Sequence, residues 1–285
     1  MNKPLCIYHG NCADGFGAAW AVGHALGFEN VDFHPGVYQD PPPDVTGRDV
    51  IMVDFSYKYD VLVKILDSCK GLTILDHHKS AVEEVNRLQQ YYDMTMGSSK
   101  LFVVMDMNRS GAMIAWDQFN PHKEPPQLLK HIQDRDLWKF ELPGTREIQA
   151  ALFSYSYDFD VWDSLMRTNL NELFMEGEAI ERKHFKDIKE LVAVCQRRMV
   201  IGGYSVPVAS LPYTLTSDAG HQMASDGEVF AACYWDTESG RVFSLRSADH
   251  DKALDVSVIA QQYGGGGHAK AAGFRVPRDH ELAKA

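Results

Sequence analysis

The sequence predicts an α/β protein in which an N-terminal parallel sheet carries helices on both faces and one helix leads to a smaller mixed α/β domain. Three observations predict it. Through residue 105, short apolar runs alternate with helical stretches, the pattern of strand-helix-strand units. A long stretch, 169–199, then repeats Leu173, Ile180, Phe185, Ile188, Leu191, Val192 and Cys195 near three- and four-residue spacings, with mixed charges between them. Beyond it strand-like runs return, with a helical segment among them.

Residues 5–9, 31–34, 50–54 and 72–76 read as short strands, and 15–26, 57–69 and 80–90 as the helices between or after them. Right-handed crossovers turn that alternation into a parallel sheet. Pro41-Pro42-Pro43 is a stiff loop, because three prolines cannot supply the amides of a central strand. Residues 101–105 add a strand ahead of Ser110-Gly111-Ala112, a helix opening that Ser110 caps, and Leu128, Leu129 and Ile132 mark a further helix. The 169–199 helix reads as a connector, with Arg197-Arg198 compensating the dipole at its carboxyl end. Gly202-Gly203 marks the next boundary; 204–211, 229–235 and 242–246 follow as strands, 256–263 as a helix and 271–276 as a last strand.

Chemistry collects where strands end. Asp76-His77-His78 closes the apolar run 72–75, His9 closes 5–8 and precedes Asp14-Gly15, and Asp54 closes 50–53. Carboxylate with imidazole suits a divalent transition ion better than calcium or magnesium, which prefer all-oxygen shells. Neighbours on a strand face opposite ways, so the triplet serves one ion only if the chain turns there. In a parallel sheet the carboxyl ends share one edge, so these distant segments converge. Asp134 and Asp136 end the helix around Ile132, as further acidic ligands or as solvated helix-end charges.

His9 with Asp14-Gly15, Asp54, Asp76-His77-His78 and Asp134, followed downstream by Gly264-Gly265-Gly266-Gly267-His268, resembles the DHH phosphoesterase superfamily, in the branch with a DHHA1 C-terminal domain. Motif order matches from His9 to Gly273. The resemblance implies a DHH metal-binding catalytic domain over 1–195 and a DHHA1 substrate-binding domain over 200–285. It implies one or two divalent ions, manganese first and cobalt second, held by His9, Asp14, Asp54, Asp76, His77 and Asp134. It assigns catalytic roles to His78, Asp76 and Asp136, and substrate contacts to Arg246, Gly265, Gly266, Gly267, His268 and Lys270. The reaction implied is hydrolysis, by metal-activated water, of phosphodiester bonds in short oligonucleotides or small nucleotides, cyclic dinucleotides included. A phosphoanhydride hydrolase acting on polyphosphate and a weakly catalytic nucleotide sensor are the alternatives, and a homodimer is the family's habit. The chain departs from the family at its first motif, where two aspartates separated by one residue are usual. Aligned through Asp14-Gly15-Phe16, Cys12 stands where the other carboxylate belongs, either as a ligand for a softer ion or as an inert buried thiol. The four glycines before His268 are either a flexible linker or a backbone nest for an anion, with His268 and Lys270 adding charge.

Composition narrows the substrate. The 285 residues suffice for two cores, and 28 basic against 39 acidic residues give a formal net charge of -11. That balance argues against long duplex nucleic acid, which is bound by neutralising many phosphates, and favours a short anion met by metal and a few local cations. Five scattered cysteines without CxxC spacing indicate neither a disulfide framework nor a structural zinc site. The amino terminus has no signal-peptide core and no run is long enough to span a membrane, so a cytoplasmic protein that avoids membranes is expected.

Overall fold

A computed structural model describes residues 2–10, 12–95 and 100–284. The chain divides into two compact units, Met1–Glu181 and Arg182–Ala285. In the first, strands β1 (Leu5–His9), β2 (Asp32–Gly36), β3 (Asp49–Val53), β4 (Gly71–Asp76) and β5 (Leu101–Met105) form a five-stranded sheet in the order β2-β1-β3-β4-β5. Every pairing is parallel. Sequence order moves one way from β1 to β2 and the other way from β3 to β5, and right-handed crossovers then put the connecting helices on opposite faces.

The core follows that rule. Helix α1 (Ala13–Leu26), which leaves β1, buries Phe16, Trp20 and its small residues against Cys6, Ile51, Val53 and Leu75. Helices α2 (Tyr59–Ser68) and α3 (Val82–Thr95), which leave β3 and β4, bury Leu62, Ile65, Val85 and Leu88 against Ile7, Val50, Met52, Leu72 and Ile74. Alternate strand residues thus serve opposite cores, as pleating dictates. The α1 face is completed by α4 (Gly111–Phe119), α5 (Gln127–Asp136), α6 (Thr145–Leu152) and α7 (Phe159–Leu165). Ser110 caps α4 by accepting a hydrogen bond from the Met113 amide. Helix α1 packs close on α4 because both carry small residues there: a Cβ placed on Gly17 would stand 3.3 Å from that of Ala112.

Helix α8 (Leu170–Cys195) runs through the boundary between the units. It stops earlier than periodicity suggests: Arg197 and Arg198 belong not to its last turn but to β6 (Arg197–Ile201), and Arg198 pairs with Glu228. Gly202-Gly203, both at positive φ, are accordingly the turn of the hairpin from β6 to β7 (Tyr204–Ser210) rather than a boundary. The second unit is a six-stranded mixed sheet, β10-β11-β9-β8-β7-β6, with β8 (Ala231–Thr237), β9 (Gly240–Arg246), β10 (Gly266–Gly267) and β11 (Ala271–Val276). Only β7 and β8 pair in parallel. One face carries α10 (Val256–Gln261) and α11 (Glu281–Lys284); the other carries α9 (Thr216–Ala224) and the end of α8 through Ile188 and Val192. Among the described residues no helix is long and apolar enough to cross a membrane.

Ala112→Leu inserts three carbons where α1 and α4 touch, and is expected to lower stability by about 1–3 kcal/mol. Urea unfolding checks this as a fall in midpoint at unchanged slope; an unmoved midpoint would show that the two helices do not pack this closely.

Candidate metal centre

The order β2-β1-β3-β4-β5 reverses direction between β1 and β3, and open sheets of this kind bind ligands at the carboxyl ends of the strands flanking such a reversal. His9 is the last residue of β1, Asp54 follows β3 and Asp76 ends β4. Asp54 adopts φ 55°, a left-handed conformation uncommon outside glycine, which turns its carboxylate out of the strand alternation. The chain also turns at the triplet. Asp76 Oδ1 accepts hydrogen bonds from the amides of His77 (2.8 Å) and His78 (3.1 Å) and lies 2.8 Å from His78 Nδ1, while Ser56 Oγ donates to Oδ2 at 2.6 Å. Asp76 therefore folds the triplet and orients His78, which frees its two imidazoles from the opposite-face rule.

The remaining groups close around His77. Its Nε2 lies 2.9 Å from Asp54 Oδ1, 3.5 Å from Asp136 Oδ2 and 3.7 Å from Asp14 Oδ2. Asp14 is held by the start of α4, whose Gly111 and Ala112 amides donate to it at 2.6 and 3.1 Å. Two glycines make this approach possible. A Cβ on Gly15 would fall 2.3 Å from the His9 carbonyl, and one on Gly111 would fall 2.4 Å from Asp54 Cβ. His9 Nδ1 stands 3.5 Å from Asp54 Oδ2. Asp14, His77 and Asp136 form one grouping whose ligand-type atoms lie within 4.8 Å of one another; His9, Cys12 and Asp54 form a second, and Asp54, Asp76 and His78 a third.

Charge explains what these groups suit. Burial and the Asp54 and Asp136 charges push the Asp14 carboxyl well above its usual range; burial and the Asp54 charge raise Asp136 too, against the lowering pull of His77 and His78. Burial also opposes the Asp54 charge, but the imidazoles of His77, His9 and His78 hold its carboxyl well below that range. Burial opposes a charged His77 as well, yet Asp136, Asp54 and Asp14 lift it to about 11. Three carboxylates thus compete for one imidazolium. Both Asp54 oxygens, His9 Nδ1 and Asp136 Oδ2 are buried without a hydrogen-bond partner among the described residues. The 2.9 Å approach of His77 to Asp54 lacks hydrogen-bond alignment, as expected of two atoms that face a common point. Imidazole and carboxylate donors with unmet lone pairs fit a divalent transition ion.

The sequence-derived residues are not all gathered here. Asp134 accepts from the Glu141 and Leu142 amides (2.9 and 3.0 Å) and from Thr145 Oγ1 (2.6 Å), so its lone pairs shape the loop into α6, where burial is outweighed and its carboxyl lowered. Asp136 faces His77 instead. Residues two apart on a helix point about 200° apart, so only one of the pair can reach the centre. Asp136 continues the buried stripe Leu128–Ile132 at spacing four, a signal that sequence reading left unused.

In the second unit, Arg246 donates to Ser217 Oγ at 2.6 Å, and to Ser244 Oγ and the Leu245 carbonyl. Lys270 pairs with Asp249. The glycine run is neither a linker nor an open nest. The Gly264, Gly265 and His268 amides donate to the carbonyls of Gln261, Ala260 and Ala271. Gly266 and Gly267 form β10, and Gly265 and Gly267 abut β11 so closely that a Cβ would lie 2.0 and 2.5 Å from its Gly273 and Ala271 carbonyls. Backbone approach therefore accounts for these glycines.

The chain is 30% identical over 295 residues to protein R106 of Acanthamoeba polyphaga mimivirus, covering 95% of this chain and 66% of that protein. It is 25% identical over 224 residues to oligoribonuclease NrnB of Bacillus subtilis (strain 168), covering 71% of this chain and 52% of that protein. The chain thus spans about two thirds and about half of the lengths of these curated relatives. Among solved structures, a pGpG-specific phosphodiesterase, PggH, from Vibrio cholerae is 16% identical with a TM-score of 0.48, covering 97% of this chain and 94% of that one. No family model matches the chain.

The two aspartates of α5 should separate in experiment. Asp134→Asn is expected to cost about 1–3 kcal/mol of stability, because its donors lose a charged acceptor, with manganese affinity unchanged. Asp136→Asn is expected to weaken manganese binding and leave the urea midpoint nearly unmoved; calorimetric titration showing the reverse pattern would exchange their roles.

Proposed function

We propose that this chain, which belongs to the DHH phosphoesterase superfamily in its DHHA1-bearing branch, is a divalent-metal-dependent phosphodiesterase of short nucleotide substrates. The observation that carries the reading is the cluster of buried Asp14, Asp54 and His77 with half-buried His9 and Asp136, in which both Asp54 oxygens lack a hydrogen-bond partner among the described residues. A bound divalent ion supplies two things there: a lowered pKa for attacking water and polarisation of a phosphoryl oxygen. The chain's own residues do the rest. Asp14, fixed by the α4 amides, and Asp54, fixed by its turn, hold their carboxyl groups in place before substrate arrives. Asp76 fixes the ring of His78, which is the group we assign to stabilise charge on the leaving oxygen.

Substrate length follows from charge. A net charge of -11 disfavours a long polyanion, and the similarity to an oligoribonuclease points to short RNA or dinucleotides rather than linear polyphosphate. We assign phosphate contacts in the second unit to the side chains of Arg246, His268 and Lys270, since the Gly264, Gly265 and His268 amides are spent within the fold. Manganese is the ion we expect first, because the Asp14, His77 and Asp136 grouping offers only oxygen and imidazole donors.

Chelator-stripped protein should be reloaded with manganese, cobalt, zinc or magnesium and offered dinucleotides, cyclic dinucleotides, short single-stranded RNA, long duplex and polyphosphate. The expected result is metal-dependent release of nucleoside monophosphates from the short substrates, with Asp76→Asn lowering the rate about 10–100-fold. Turnover of polyphosphate alone would replace the substrate class. Tight nucleotide binding with no turnover by any ion would make the chain a sensor.

A further inference from the structure

We propose that Cys12 is itself a metal ligand, and that His9, Cys12 and Asp54 form a thiolate-containing position for cobalt or zinc beside the oxygen- and imidazole-lined set of Asp14, His77 and Asp136. The proposal rests on the metal-dependent reading above and specifies its donor atoms.

Ligand-type atoms of His9, Cys12 and Asp54 lie within 4.8 Å of one another. An ion bonded at roughly 2.0–2.3 Å keeps its ligands within roughly 4.5 Å, so a small contraction closes the set. The other two side chains independently point to a cation. Asp54 is 1% exposed and neither of its oxygens has a hydrogen-bond partner among the described residues; the Nδ1 atom of half-buried His9 is likewise without one. Cys6, Cys69 and Cys233 are buried, and among the described residues Cys12 alone of the cysteines has metal-type neighbours.

Thiolate is a soft donor and selects cobalt or zinc over manganese and magnesium. On coordination the Cys12 S–H bond breaks, its proton leaves to solvent and a sulfur–metal bond forms, with no change of oxidation state. The neighbouring set has no sulfur. The two positions therefore differ in hardness, and one centre takes two different ions.

Cobalt titration of the chelator-stripped full chain reads the proposal directly. Wild type and Cys195→Ser are expected to develop a thiolate-to-cobalt charge-transfer band in the near ultraviolet, and cobalt is expected to protect Cys12 from iodoacetamide by peptide mapping. Cys12→Ser is expected to lose the band, and Cys12→Asp to shift metal competition toward manganese. Serine is a good N-cap, so the variant should fold, which circular dichroism checks. Bound cobalt in wild type without the band, or an equal band in Cys12→Ser, overturns the proposal while leaving the metal centre intact. If the stripped protein binds no divalent ion, the metal-dependent reading falls and this proposal with it.

Discussion

Carboxylates buried against one another are the constraint on which the rest of this structure depends. Asp14, Asp54 and Asp136 approach a single imidazole, His77; Asp14, Asp54 and His77 are buried and Asp136 is partly exposed. Isolated buried charge costs several kcal/mol, and proteins tolerate it only with a countercharge and hydrogen bonds. Asp14 and Asp76 have their hydrogen bonds, from α4 amides and from the triplet's own turn. The Asp54 side-chain oxygens have none among the described residues, and the residue sits in a strained backbone conformation as well. A divalent cation would resolve both the repulsion and the unmet lone pairs, and strain of this kind persists where the surrounding fold holds it.

The fold supplies that hold. The reversal of strand order between β1 and β3 leaves a crevice at their carboxyl ends, and the two cores fix both faces of the sheet beneath it. Small residues let α1 and α4 approach one another, and Gly15 and Gly111 let their first turns press on His9 and Asp54. Packing and chemistry are therefore one argument here. The positions that keep the helices close are also those that bring Asp14 to Asp54.

Much of this was legible in the sequence, for identifiable reasons. Strands β1, β3 and β4 are largely apolar, as strands buried on both faces must be, and their chemistry sits at or just past their carboxyl ends. The first unit's sheet and the gathering of His9, Asp54 and His77 could be read from that, whereas Asp14, inside α1, entered through the motif resemblance. Asp134 and Asp136 could not be separated by the presence of carboxylates, because their roles are set by which helix face meets α1. The glycine run was ambiguous for a similar reason: close backbone approach and anion binding both ask for glycine, and only the position of β11 decides. Helices α6 and α7 are short and α9 carries few apolar residues, so their periodicity is weak until tertiary packing supplies it. Strand β6 was hidden behind the charge of Arg197-Arg198, which resembles a helix end.

Anomalous scattering from crystals soaked in manganese tests the central claim most directly. A peak within bonding distance of Asp54, Asp136 and His77, in a site where Asp134 stays with its loop amides, is the predicted result. Well-ordered carboxylates at those positions with no peak among them would contradict it.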